Sequence, residues 1–296
     1  SIVLKFRIRT ATRWECEMSD RNLQSAIQKI QQATQMIPKA GIILGSGLGG
    51  LSRQIQSVAE FPFEQIPGLK TSHASGHEGR LILGYLQQQP VIAMAGRLHR
   101  YEGYSSDEVT YPIRLIRSLG AGVLLASNAA GGLNPKYCVG DPIILGDHIN
   151  WLGQASTEAS PPNVRDQSTG FLQSGSNFYC SQLTSLAISV AKKNDFSAYV
   201  GTYLGTLGPT YETRSEYRMM RRIGADVVGM STLPEVLLAR RLGMKTLAVS
   251  IVSNVANPDS PSTANHDEVI RAGQQAGSKL EKIIRAVLDN LDNQVA

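Results

Sequence analysis

Short apolar runs, each closed by a turn of small or polar residues, recur along this chain and restrict its fold more than any other feature. Examples are residues 40–44, 90–95, 123–126 and 246–252, and helical patterns of apolar residues separate many of them. The repetition of a strand, a short polar turn and a helix is typical of the α/β class with a mostly parallel sheet. The 296 residues contain no internal repeat and no segment of linker composition, so we predict a single domain.

Further elements follow from the same patterns. The other predicted strands are residues 57–63, 81–85, 141–149, 199–207 and 227–228, and the predicted helices are residues 106–118, 183–191, 212–223 and 264–291, with one more that opens at Pro234-Glu235. Small and polar residues after two of the strands, at 127–132 and 253–254, predict turns at the strand ends. Such strand ends are where ligands bind in open α/β sheets.

The segment 96–104 follows a predicted buried strand and carries Arg97, His99 and Tyr101. If the extended geometry continues, these alternate residues point to one side. An arginine offers a planar fork of donors for an oxyanion, and a histidine can donate beside it. The segment therefore predicts an anion site, although a solvated loop in which Arg97 pairs with Glu102 explains the same residues.

The glycine turn at residues 45–50 matches the pattern G-x-G-x-x-G, and Glu64 follows at about the distance seen in dinucleotide-binding proteins. The physical content of the pattern is more general, because glycines let the backbone approach an anion, and Ser46 adds a hydroxyl. His73 and His77 are four residues apart, but the serine and glycine between them argue against a helix. We therefore predict a loop there and no metal site.

Composition excludes several classes of function. The formal charge of +5 is compatible with an anionic ligand, but the chain lacks the dense basic stripe of nucleic-acid-binding proteins. No apolar run of the sequence is long enough to span a bilayer, so we expect no membrane partner. The three cysteines, Cys16, Cys138 and Cys180, form neither a zinc pattern nor a disulfide framework. A reducing cytoplasmic location is the simplest interpretation.

Two segments differ from the rest of the chain. Residues 1–17 begin with alternating apolar and basic residues and have no signal-peptide core, and Met18 precedes a Ser-Asp pair typical of a helix start. We therefore expect residues 1–17 to be a poorly ordered extension and residues 18–296 to form the domain. Residues 151–175 are rich in Ser, Pro, Gly, Asn and Gln without periodicity, which predicts a long surface loop that is either functional or disordered.

Taken together and in this order, the turns resemble those of the trimeric purine nucleoside phosphorylases, from about residue 37 to the C-terminus. The matching segments are residues 45–49, 76–77, 96–104, 128–132, 208–213, 229–235, 253–254 and 265–266. The resemblance argues against a dinucleotide site at the glycine turn.

The resemblance implies a site with three parts. The phosphate contacts that it implies are Ser46, His77, Arg97, His99, the Ala129 backbone and Ser231. The implied ribose contacts are Tyr101, Met230 and His266, and the implied base contacts are Glu212 and Asn254, with Tyr211 stacked nearby. Of these residues, Asn254, Glu212 and His99 are the ones implied to act in catalysis.

The resemblance also implies the architecture and the assembly. The family has a single α/β domain, the nucleoside phosphorylase fold, in which helices flank a mixed, mostly parallel, twisted and partly barrel-like sheet. It forms a homotrimer in which an aromatic side chain of the neighbouring subunit closes the ribose pocket. Phe171 is the candidate for that aromatic, although residues 151–175 depart from the family pattern, as do residues 255–262 where a lid is expected. No metal or organic cofactor is implied, and inorganic phosphate is a co-substrate.

The implied reaction is the phosphorolysis of 6-oxopurine nucleosides, such as inosine and guanosine and their deoxy forms, in purine salvage. Glu212 can accept from N1–H of a 6-oxopurine, whereas adenine carries a lone pair there, and Asn254 can donate to N7. One alternative is a methylthioadenosine phosphorylase, although those enzymes tend to carry Asp where Asn254 stands. The other is a non-catalytic nucleoside- or phosphate-binding protein. The residues also have simpler interpretations, since Glu212 or His266 can begin a helix and Asn254 can be a turn residue.

Overall fold

The computed structural model describes residues 13–45, 49–72, 77–152, 177–257 and 266–291. Several expectations therefore lie outside the described residues. They are the structure of residues 1–12, the contacts of Ser46 and Phe171, and most of the predicted loop at 151–175 and of the expected lid. The proposed domain boundary at Met18 stays a prediction.

The described strands form one mixed sheet. The strands are β1 Ala40–Leu44, β2 Gln56–Pro62, β3 Arg80–Leu86, β4 Gln89–Ala95, β5 Val123–Gly132, β6 Pro142–Asn150, β7 Tyr199–Gly205, β8 Val227–Gly229 and β9 Lys245–Val255. Their order is β2-β3-β4-β1-β5-β8-β7-β6-β9, and β9 also pairs with β5. The strands from β5 through β8, β7 and β6 to β9 therefore close into a barrel-like ring, and β1 to β4 extend from it as an open sheet.

Parallel pairing dominates where the site lies. Strand β1 is parallel to both β4 and β5, and β5 is parallel to β9, so the carboxyl ends of these four strands share one edge. The pairs β6–β7 and β7–β8 are also parallel, whereas β2–β3, β3–β4, β5–β8 and β6–β9 are antiparallel. The sheet is thus mixed and partly closed, which confirms the predicted fold class.

Helices cover both faces of the open sheet. The helices are α1 Arg13–Ala33, α2 Ser106–Ser118, α3 Ser181–Lys193, α4 Arg214–Arg222, α5 Leu233–Arg241 and α6 His266–Asp289, with short 3₁₀ turns at Gly49–Gln54, Phe63–Gln65 and Arg100–Glu102. In β1, Ile42 and Leu44 pack in the core that α3 and α6 cover, and Ile43 packs in the core shared with α1, α2 and α5. Successive side chains of a strand point to opposite faces, so a strand buried on both faces is an apolar run throughout.

Two predicted turns are wrong, because the strands continue through them. Residues 127–132 are part of β5 and residues 253–254 are part of β9. Ala, Asn, Ser and Gly have low strand propensity, but here β5 pairs with β9 on one side and with β8 on the other. The backbone hydrogen bonds to β8 and β9 thus keep residues 127–132 in strand conformation despite their low local propensity.

Two predicted helix starts are also wrong. Helix α1 begins at Arg13 and not at the Ser-Asp pair after Met18, since residues 13–18 contain no proline or glycine to stop it. Helix α4 begins at Arg214 and not at Glu212. Thr213 caps α4 by accepting from the Glu216 N–H, and the Glu216 carboxylate accepts from the Thr213 N–H. Glu212 therefore lies in the turn before the helix.

Candidate active site

The turn after β4 brings Arg97 to the shared edge of the sheet. Gly96 has φ of +120°, and a Cβ there would lie 2.8 Å from the Cβ of His77, so only glycine fits. Arg97 follows with 1% of its area exposed. A guanidinium group buried to this degree requires partners, and it finds them on the segment that leads into α5.

Arg97 is held by three side chains from around the start of α5. Its Nη1 donates to Ser231 Oγ at 3.0 Å and to Thr232 Oγ1 at 2.6 Å, and its Nε lies 3.2 Å from Glu235 Oε1. Among the described residues, Arg97 Nε and Nη2 have no hydrogen-bond partner, although Nε faces the Glu235 carboxylate as an ion pair. The guanidinium is thus held mainly through Nη1, and Nη2 is left as a donor.

His99 is oriented by a carboxylate. Its Nδ1 lies 2.9 Å from Glu102 Oε1, which also accepts from the His99 backbone N–H at 2.9 Å. The Ser72 hydroxyl donates to the same carboxylate. The ring of His99 stacks on Tyr101, with 4.7 Å between centroids, and burial raises the pKa of Tyr101 to about 12. Because Glu102 takes Nδ1, His99 Nε2 is the nitrogen left for a ligand. The interpretation of segment 96–104 as a loop with an Arg97–Glu102 pair is therefore wrong.

His77 lies behind this group. The backbone N–H of Arg97 donates to His77 Nδ1 at 2.9 Å, and the His77 ring lies 5.2 Å from that of His99. Burial, followed by the neighbouring His99, lowers the pKa of His77 to about 4, so its imidazole is neutral at pH 7. His77 contacts the backbone of Arg97 and is not among the residues that line the pocket described below.

The register of β5 and β9 joins two further predicted residues. Gly131 of β5 lies opposite Asn254 of β9, two residues beyond Ala129. The Ser253 hydroxyl lies 2.9 Å from Asn254 Oδ1 and 3.2 Å from the Ala130 carbonyl oxygen. With its oxygen facing this hydroxyl, the Asn254 side chain presents its NH₂ group as a donor.

Glu212 is half-buried and receives hydroxyl donors. Thr206 Oγ1 donates to Glu212 Oε1 at 3.3 Å, and the Tyr217 hydroxyl also hydrogen-bonds to the carboxylate. Burial raises the pKa of Glu212 above its ordinary value, and the two hydroxyls act in the opposite direction by stabilising the ionised form.

These side chains line one pocket of about 700 Å³, part of which is open solvent. Of the residues predicted for the site, it brings together Arg97, His99, Tyr101, Ala129, Tyr211, Glu212, Met230, Ser231 and Asn254. His266 is the first residue of α6, but its side chain is outside the described part of the structure, as is Ser46. Arginine, histidine and serine donors thus share a cavity with a carboxylate and an amide.

Sequence reasoning missed the roles of Thr232, Glu235, Ser253 and Tyr217. The first three belong to the matching segments of the sequence, but their partners Arg97 and Ala130 lie more than a hundred residues earlier in the chain, and only the fold pairs them. The contact of Tyr217 with Glu212 had no signal in the sequence, because the two are five residues apart, whereas helical neighbours are three or four apart, and Glu212 lies before α4.

Two classes of site find no support in the described residues. In the described ranges, no group of three or more His, Cys, Asp or Glu side chains could hold a metal ion. Within the same ranges, no helix combines the length and the apolar character needed to cross a bilayer.

Known proteins match this sequence and this fold. The model of the phosphorylase superfamily matches residues 39–289. The chain is 40% identical over 271 residues to purine nucleoside phosphorylase 1 of Bacillus subtilis, covering 92% of this chain and 98% of that one. It also resembles a Schistosoma purine nucleoside phosphorylase solved with hypoxanthine, with 41% identity, a TM-score of 0.79 and coverage of 90% and 96%. The Schistosoma mansoni purine nucleoside phosphorylase in complex with adenosine gives 40% identity, a TM-score of 0.80 and the same coverage.

Proposed function

Since this chain belongs to the phosphorylase superfamily, as an enzyme of the purine nucleoside phosphorylase type, we propose that its substrates are 6-oxopurine nucleosides. The proposed reaction converts inosine, guanosine or their deoxy forms, with inorganic phosphate, into the free base and (deoxy)ribose 1-phosphate. The observation that carries the proposal is the presence of Glu212 and Asn254 in the same pocket as Arg97, His99 and Ser231.

The base specificity would come from Glu212 and Asn254. An ionised Glu212 accepts from N1–H of hypoxanthine or guanine but faces the N1 lone pair of adenine. The Asn254 amide donates to N7, and this bond strengthens as the departing base gains electron density. A site built to hydrogen-bond a group rejects analogues that lack it by about 10⁴-fold or more.

The other end of the pocket suits a phosphate. Arg97 Nη2 and the Ser231 hydroxyl are donors that can meet one anion, and a His99 imidazolium, whose Nδ1–H is on Glu102, can donate to it from Nε2. The backbone of Ala129 lines the same pocket. A phosphate oxygen would form the bond to C1′ while the bond from C1′ to N9 breaks and its electron pair leaves with the base. Positioning the anion and stabilising the leaving base are then the main catalytic contributions.

The ribose would lie between these ends. Tyr101 and Met230 line the same pocket, and we assign them to the ribose; Tyr211 lines it with 44% of its area exposed. We assign His266 to the same ribose contacts from the family resemblance. The proposal requires no organic cofactor or metal ion, and it places the enzyme in the cytoplasm as a homotrimer.

The base ranking in a steady-state assay tests the proposal. Wild type should have a kcat/KM for inosine and guanosine far above that for adenosine, and Glu212→Gln should lower the inosine value because an amide accepts more weakly than a carboxylate. Asn254→Asp should move the ratio toward adenosine, since a carboxylate can accept from the 6-amino group. Glu64→Gln, at an exposed glutamate after β2, is the matched control and should leave the ranking unchanged.

Turnover, not binding, must be measured in this test. A relative 40% identical to this chain was solved in complex with adenosine, so occupancy by adenosine would not contradict the proposal. Equal turnover of inosine and adenosine by wild type, or an Asn254→Asp ratio that does not move, would contradict it.

A further inference from the structure

Thr232 occupies an unusual position between Arg97 and helix α5. It is the N-cap residue of α5, where a threonine hydroxyl ordinarily accepts from the backbone of the first turn. Among the described residues, its side chain makes no such capping bond. Thr232 has φ of +69°, a left-handed conformation that is rare for a β-branched residue. The residue is therefore held in a strained form and does not cap its helix.

The hydroxyl of Thr232 instead forms hydrogen bonds with side chains that line the pocket. Its Oγ1 accepts from Arg97 Nη1 at 2.6 Å and from Asn128 Nδ2 at 2.8 Å, which uses both acceptor positions of a hydroxyl. Its remaining proton can be shared with Ser231 Oγ, 3.2 Å away. The Thr232 hydroxyl thus joins Arg97 to β5 and to the serine that we assign to phosphate.

Glu235 supplies the charge that faces the arginine. It is 3% exposed, and its Oε1 lies 3.2 Å from Arg97 Nε. It is the third residue of α5, and its carboxylate accepts from the backbone N–H of Thr232, as in one half of a capping box. Glu235 therefore binds both the arginine and the strained N-cap.

We propose that Glu235 and Thr232 are positioning residues for phosphate binding, because together they orient the Arg97 guanidinium so that its Nη2 donor faces the anion. The inference rests on the proposed function, since it assigns Arg97 to phosphate. A buried arginine whose guanidinium is already held by neighbouring side chains meets an anion without losing side-chain freedom on binding. Removing the charge of Glu235 or the hydroxyl of Thr232 weakens phosphate binding and leaves the base contacts intact.

The test compares KM values for the two substrates. Glu235→Gln keeps the size of the side chain but removes its charge, and it should raise the KM for phosphate about tenfold or more while the KM for inosine stays within about twofold. Asp141→Asn is the matched control, because Asp141 is a buried carboxylate paired with Lys279 outside the pocket. This control should change neither KM.

A second pair of variants tests the inference in case Glu235→Gln does not fold. Thr232→Val removes the hydroxyl at similar size and should raise the phosphate KM, and Thr232→Ser should restore it. Equal increases in both KM values with a lower melting temperature would show a structural role and overturn the inference, as would an unchanged phosphate KM in both Glu235→Gln and Thr232→Val.

A binding measurement separates this inference from the proposed function. Inorganic phosphate should raise the melting temperature of wild type and of Asp141→Asn, and raise that of Glu235→Gln much less at the same concentration. If wild type bound phosphate but did not cleave inosine, the proposed function would fail and the positioning inference would remain. If the variant and wild type responded equally, the positioning inference alone would fail.

Discussion

At the scale of single residues, the ionisation of Glu212 links the structure to base recognition. Burial raises its pKa, while the hydroxyls of Thr206 and Tyr217 stabilise the carboxylate. The exposed Glu216 is the nearby like charge and acts in the same direction as burial. A group with a raised pKa loses its charge as the pH falls through that pKa, so turnover of 6-oxopurines should fall on the acid side.

Tyr217→Phe should move the fall in kcat/KM on the acid side of the pH profile, the acid limb, to higher pH. The variant removes a donor that favours the ionised form, so the pKa of Glu212 rises further and the carboxylate is protonated at a higher pH. The measurement is kcat/KM for inosine against pH. Tyr85→Phe, at an exposed tyrosine of β3, is the control and should give the wild-type profile. An acid limb in the same place for Tyr217→Phe and wild type would mean that the hydroxyl does not support the carboxylate.

At this scale, prediction from the sequence placed residues together where a motif carried its own geometry, and their roles stay predictions. Arg97 and His99 follow a strand as alternate residues, and both line the pocket. It failed for Thr232 and Glu235, because their partner Arg97 lies more than a hundred residues earlier in the chain. The sequence at the start of α5 indicates a helix N-terminus whether or not Thr232 caps the helix. Only the fold shows that the Thr232 hydroxyl bonds to Arg97 and Asn128 and not to the first turn of α5.

At the scale of elements, close contact between β1 and β5 supports the site. Gly45 follows β1, and a Cβ there would lie 2.7 Å from the Ser127 carbonyl oxygen and 2.9 Å from the Asn128 Cα. Both neighbours are backbone atoms of a strand paired on both sides, so they cannot move apart easily. The apolar runs correctly predicted the strands, but the extension of β5 and β9 through small residues depends on pairing that no local pattern encodes.

Gly45→Ala should therefore destabilise the protein, by about 1–3 kcal/mol, as overpacking of a filled core does. Gly122→Ala is the matched control, since a Cβ at Gly122 meets nothing within 4 Å. Midpoints of urea unfolding for the two variants and wild type measure the difference. Equal midpoints for the two variants would show that β1 and β5 can separate without cost.

At the scale of the whole molecule, exposed apolar side chains lie near the pocket. Trp151 follows β6 and Leu207 follows β7, at ends that the register Asn150–Gly205 places side by side. They are 40% and 45% exposed, and the pocket residue Tyr211 lies a few residues further on. Exposed aromatic and apolar side chains grouped in this way are typical of subunit interfaces.

The homotrimer that the family resemblance implies stays a prediction, and we expect these side chains to lie in its interface. Light scattering at micromolar concentration should give the mass of three chains, and replacing Trp151 and Leu207 together with serine should lower that mass. The control is the same double change to serine at Val58 and Val139, two other exposed apolar residues. A fully active monomer of the wild-type chain would contradict the trimer.

Phosphate dependence is the most direct test of the central claim, which is that the pocket carries out phosphorolysis. Purified wild type is incubated with inosine, with and without inorganic phosphate, while hypoxanthine release and the ³¹P NMR signal of ribose 1-phosphate are followed. We predict equimolar hypoxanthine and ribose 1-phosphate with phosphate, no release without it, and strong loss of activity in Arg97→Ala. Hypoxanthine release at the same rate in phosphate-free buffer, with free ribose as the product, would contradict the account.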